Sequence, residues 1–116
     1  MAEYLVQDQD ATLNEYNVAL SLDRLRLPYI FQYAPFGARG IRGQYVVDFL
    51  IKSPFDQPLE VFGNYWHTGQ LGADDKLRLA ILSKHFRKEV IVLWGNETDT
   101  FEEALRAVRR EIGASF

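Results

Sequence analysis

The sequence predicts an α/β fold in which a mixed sheet is flanked by helices, and three observations predict it. At 116 residues and 47% hydrophobic content, the chain has the size of one compact domain, 1–116, able to bury a core without staples. Apolar periodicity alternates between helical and strand repeats in the order helix, three strands, helix, strand, helix, with no internal repeat or linker. A helix separates the last strand from the third, so joining the same sheet requires a crossover and a parallel pair.

The first helix is expected from Ala11 or Thr12 to about Leu25, with Asp10 as its cap and Pro28 marking the exit. Val18, Ala19 and Leu22 follow Glu15 at helical spacing, which puts that carboxylate on the inward face. Residues 29–33 read as a strand. Residues 34–43, with Pro35, Gly37, Gly40 and Gly43, read as a long loop or open hairpin carrying Arg39 and Arg42. Residues 45–51 are apolar on both faces apart from Asp48, the pattern of a strand covered on both sides. After a turn at 53–56, residues 58–63 repeat that pattern around Glu60, and 64–72 form a loop with Tyr65, Trp66 and His67. The second helix is expected from Ala73 or Asp74 to Phe86, with Asp75 opening an apolar stripe of Leu79, Leu82 and Phe86. Residues 89–94 make the last strand. The final helix buries Phe101, Leu105, Val108 and Ile112, opens on a Thr100/Glu103 capping box and stops at Gly113.

Composition narrows the chemistry. The absence of cysteine excludes disulfides and thiolate metal sites, and two histidines, His67 and His85, are too few for a zinc cage. Any metal must therefore sit on oxygen ligands. The net charge of -3 counts against a protein that grips DNA mainly by phosphate neutralisation, although a carboxylate-rich site is neutralised by its own cation. Local charge runs the other way: Arg39 and Arg42 lie in an acid-free stretch, and Lys84, Arg87 and Lys88 cluster later. The Gly37, Gly40, Gly43 spacing is not a nucleotide-binding fingerprint. His85, beside Lys84 and Arg87 late in a helix, reads as a surface residue. No stretch is apolar enough to span a bilayer and the first residues lack a signal-peptide pattern, so a cytoplasmic protein without membrane contact is expected.

Two carboxylates on neighbouring apolar strands need an explanation. If those strands pair, Asp48 and Glu60 reach the same face, where two ionised acids repel and one pKa rises unless a cation intervenes. Oxygen donors on two strands, completed by water and phosphate, suit magnesium or manganese. The competing explanation is that each acid pairs with an arginine or lies at a strand end in solvent.

Val47-Asp48-Phe49, followed by Leu59-Glu60-Val61-Phe62-Gly63-Asn64-Tyr65-Trp66-His67, resembles the core of the PD-(D/E)XK nuclease superfamily, specifically its very-short-patch repair (Vsr)-like and phage homing endonuclease branch. The likeness runs from about Leu13 to Ile112 and implies a restriction-endonuclease-like αβββαβ core. It implies that Asp48 and Glu60 bind Mg2+ or Mn2+. It further implies that His67 handles protons in place of the superfamily lysine, which Phe62 replaces, and that Glu15 and Asp75 assist as carboxylates orienting His67 or a metal-bound water. In that branch the second ligand is not always an acid, so a backbone carbonyl such as that of Val61 is an alternative. Tyr65 and Trp66 would stack on or wedge into bases, and Arg39 and Arg42 would follow the DNA backbone. Core anchoring for the aromatics and capping for Asp75 are the plainer readings of those residues.

The expected function is thus a divalent-metal-dependent DNA endonuclease that nicks or cleaves DNA. The alternative is a catalytically inactive nuclease-fold domain that binds nucleic acid or a protein partner. Sequence specificity, and whether the chain acts alone, as a homodimer or in a larger assembly, are left open.

Overall fold

Strand β4 (Val47–Ile51) sits where both faces are covered, and its composition is the reason: four of its five residues are buried and apolar. The computed structural model describes residues 3–37, 45–63 and 72–115. In chain order the remaining elements are β1 (Tyr4–Val6), β2 (Gln9–Ala11), α1 (Leu13–Arg24), β3 (Tyr29–Tyr33), β5 (Gln57–Phe62), α2 (Ala73–Phe86), β6 (Ile91–Trp94) and α3 (Phe101–Ser115). The main sheet has the order β3-β4-β5-β6. β3, β4 and β5 are antiparallel neighbours, and β6 returns through α2 to lie parallel to β5. This is the expected mixed α/β sheet.

One face of that sheet, bearing Phe31, Phe49, Ile51, Leu59, Ile91 and Leu93, packs on Val18, Ala19 and Leu22 of α1 and on Ala104, Ala107 and Val108 of α3. α2 packs against β5 and buries Leu82 completely, with Asp75, Arg78, Leu79 and Phe86 half-buried along the same stripe. Among the described residues no helix is long and apolar enough to cross a membrane.

Several expectations are corrected. A β1–β2 hairpin precedes α1, and Asp10 belongs to its second strand; the cap of α1 is Thr12, whose hydroxyl accepts from Glu15 N at 3.1 Å while Glu15 Oε1 accepts from Thr12 N at 2.9 Å. The reciprocal pair satisfies two orphan N–H groups, which Asp10 does not reach from its strand position. α3 continues through Gly113 to Ser115, because a glycine only weakens a helix by about 1 kcal/mol and does not break it. Its inner face is carried by Ala104, Ala107 and Val108, while Phe101, Leu105 and Ile112 are half-buried. Small residues permit α1 and α3 to lie close.

The hairpin protects the open edge of the sheet. Gln7 accepts from Phe31 N at 2.9 Å and donates to Tyr29 O at 2.8 Å, and Gln9 donates to Phe31 O at 3.2 Å. A second polar clamp joins α1 to the segment between β6 and α3. Asn17 donates to Thr98 O at 3.0 Å, and Asn14 donates to Thr98 Oγ1 at 2.9 Å and to Gly95 O at 3.1 Å. Gly95 itself lies against the end of β5: a Cβ there would meet Gly63 O at 2.5 Å and Gly63 Cα at 3.1 Å. Both contacts are backbone. Gly95→Ala is accordingly expected to lower stability by about 1–3 kcal/mol, read as a shift of the urea midpoint, and an unchanged midpoint would contradict this packing.

Candidate active site at the fork between two strands

The β4–β5 ladder runs from Ile51↔Gln57 to Phe49↔Leu59. Asp48 and Glu60 are the next residues on each strand, so both stand just past the last β4–β5 pair while remaining within their strands. Phe49 and Leu59 belong to the core under α1 and α3, and side chains alternate along a strand, so the two carboxyls share the opposite face. Beyond the ladder, Val61 N donates to Asp48 Oδ2 at 2.8 Å. β5 nevertheless stays paired with β6 as far as Phe62↔Trp94. β4 likewise stays paired with β3 as far as Tyr33↔Val47, so both arms of the fork are held from outside.

Glu60 is buried, with 2% of its surface exposed. Burial, then the charge of Asp48 and a hydrogen bond to it, push the Glu60 carboxyl up to about 9, against the opposing pull of Arg78. Glu60 thus keeps its proton at neutral pH and shares it with Asp48. Arg78 of α2 pairs with Glu60 Oε1, donates to Val46 O at 3.4 Å and lies over the Phe62 ring at 5.7 Å. Arg78 thus faces the pair of acids from α2. The repulsion expected between the two strand acids is relieved here by a proton and an arginine.

Glu15 approaches from the N-terminus of α1. Burial raises its carboxyl, the Thr12 backbone bond opposes this, and the charge of Asp48 adds to the rise. It lies within electrostatic reach of the fork while serving as half of the helix cap. Asp75 lines an open hollow of about 470 Å³, which among the described residues is bordered by Tyr45, Asp74, Asp75, Leu77 and Arg78. Asp48, Glu60 and Glu15 are thus gathered at one end of the sheet, with Asp75 in the hollow beside Arg78. His67, Tyr65, Trp66, Arg39 and Arg42 lie outside the described residues.

Two participants escaped the sequence reading. Arg78 follows Asp75 by three residues, so a cation inside the apolar stripe of α2 was the available signal. Gln32 donates to Asp48 Oδ1 at 3.5 Å from a left-handed backbone (φ 57°) in the middle of β3, a conformation that no local pattern announces for glutamine.

The donor set bears on a cation. Among the described residues no group of three or more His, Cys, Asp or Glu is arranged to hold a metal ion. Asp48 and Glu60 on facing strands remain, and magnesium is commonly held by one or two carboxylates plus water and phosphate, so an ion here would take the place of the proton on Glu60. The residues present fit that mode.

The raised Glu60 carboxyl has a measurable consequence. The folded chain binds this proton more tightly than the unfolded chain, so the stabilisation is complete below the usual 4.5 and is lost as pH rises toward about 9. Without divalent metal the melting temperature is expected to fall from pH 5 to pH 9, and Glu60→Gln, whose amide still donates to Asp48, is expected to flatten that slope. A slope identical in wild type and variant would refute the shared proton.

No family model, curated protein or solved structure matches this chain.

Proposed function

We propose that the protein is a divalent-metal-dependent endonuclease acting on DNA. The observation that carries this reading is the placement of Asp48 and Glu60 on one face at the fork of β4 and β5, with Glu15 close enough to feel the charge of Asp48. Acids with raised carboxyls gathered in one place recur at functional sites, which supports this reading. Asp48 and Glu60 would hold Mg2+ or Mn2+, which when bound supplies polarisation of the phosphate and a more acidic water. Asp48, fixed by Val61 N–H, needs little reorganisation to present an oxygen. In this reading His67 takes the proton from the attacking water and Glu15 assists from the helix terminus.

One observation favours the second reading, a nuclease-like domain that binds without cutting: Arg78 already satisfies Glu60. Incubation with supercoiled plasmid and Mn2+ or Mg2+ decides between them. Nicking that requires the ion and is lost in Asp48→Ala and His67→Ala is the result expected; binding with no cleavage under either ion would favour the second reading.

A further inference from the structure

The carboxylate fork leaves unused a group of rings beside it. Phe36 lies edge-on to Tyr45, with centroids 5.8 Å apart, and against His85 at 4.8 Å; His85 in turn abuts Phe86 at 4.8 Å. Phe36 is 41% exposed and His85 is also exposed, with Phe86 against His85 and Tyr45 against Phe36. Tyr45 connects the two regions, since it also borders the hollow that contains Arg78. Arg78 and His85 are seven residues apart on α2, two helical turns, hence on one face and about 10 Å from each other along the axis.

The end of α2 that carries His85 is locally basic, whereas the hollow on the far side of Tyr45 also holds Asp74 and Asp75. From Ser83 to Lys88 the chain carries Lys84, Arg87 and Lys88 and no acid, although the protein is acidic as a whole, and Lys84 and Arg87 are exposed. Exposed flat rings flanked by cations suit a polyanion whose bases are free to stack, because every unpaired base offers a π-face and a base inside a duplex does not. We propose that Phe36 and His85 form a stacking subsite for an unpaired base of single-stranded DNA, with Lys84 and Arg87 taking the adjoining phosphates. The proposal rests on the hydrolytic reading in that it names the substrate form for the same site, a strand running from the fork along α2.

Fluorescence anisotropy with labelled dT12 in EDTA, where no cleavage occurs, tests the subsite. Wild type is expected to bind dT12 in preference to a 12-base-pair duplex. Phe36→Ala, Phe36→Leu and His85→Ala are each expected to weaken binding about tenfold, with His85→Phe near wild type because it keeps a ring. Thermal melts identify variants that are folded, and Phe36→Leu retains apolar bulk without a flat face. Unchanged affinity in folded Phe36→Leu and His85→Ala, a preference for the duplex, or no binding of dT12 by wild type would overturn the proposal. The two readings fail separately. Ring-dependent binding without metal-dependent cleavage leaves the subsite standing and removes the hydrolytic reading; plasmid cleavage with ring-independent binding does the reverse.

Discussion

Asp48→Ala is expected to reduce metal-dependent nicking by at least about 10³-fold, equivalent to roughly 4 kcal/mol of barrier. In the proposed mechanism the carboxylate would contribute an oxygen for the cation, and no neighbour on β4 offers a substitute: Val47, Phe49 and Leu50 are apolar. Its removal also strands the Val61 N–H that it accepts from, at a cost of about 1–3 kcal/mol in stability. Asp48→Asn separates the two effects. The amide oxygen can still accept from Val61, so the variant should melt near wild type yet bind Mn2+ weakly and fail to nick. Rates on supercoiled plasmid, with melting curves alongside, check this; nicking by Asp48→Asn at the wild-type rate would remove Asp48 from the metal site.

Arg78→Met carries the largest expected effect on folding, a loss of about 3 kcal/mol and a melting temperature lower by roughly 10–15 °C. Deleting the guanidinium leaves the hydrogen-bonded Asp48–Glu60 pair without the cation that faces it. The figure sits at the low end for such pairs because the guanidinium keeps 19% of its side-chain surface exposed. Methionine retains most of the stem that packs on Phe62, so the loss reports charge more than volume. Mn2+ is expected to restore part of the lost stability, since it replaces one cation by another. Equal stability of Arg78→Met and wild type across pH 6–8 would show that the Arg78–Glu60 contact contributes nothing to folding.

How far the sequence could be read depended on where the determining contact lies. β4 and β5 were legible because burial on both faces demands continuous apolar residues, which made Asp48 and Glu60 conspicuous within them. α2 was legible to within a residue at its start because its stripe has strict helical spacing. The β1–β2 hairpin was not, since Tyr4–Val6 and Gln9–Ala11 are three residues each and too short for a period to register. The turn between them is made by Gln7 and Asp8, both at positive φ, without the glycine that usually marks such a bend. Arg78 does not stand out locally because its meaning depends on Glu60, 18 positions earlier; no local window contains both. The cap of α1 was misassigned by two residues for a related reason. Asp10 and Thr12 are both good caps, and only the reach of Glu15 decides between them.

Gln7 and Gln9, by closing on the rim of β3, occupy main-chain positions that a neighbouring molecule would otherwise use to extend the sheet. The chain in effect blocks fibre growth along that border with two amides from its own first residues. Association of two copies is then expected through other surfaces, and truncation before Gln9 is expected to increase aggregation, read by light scattering.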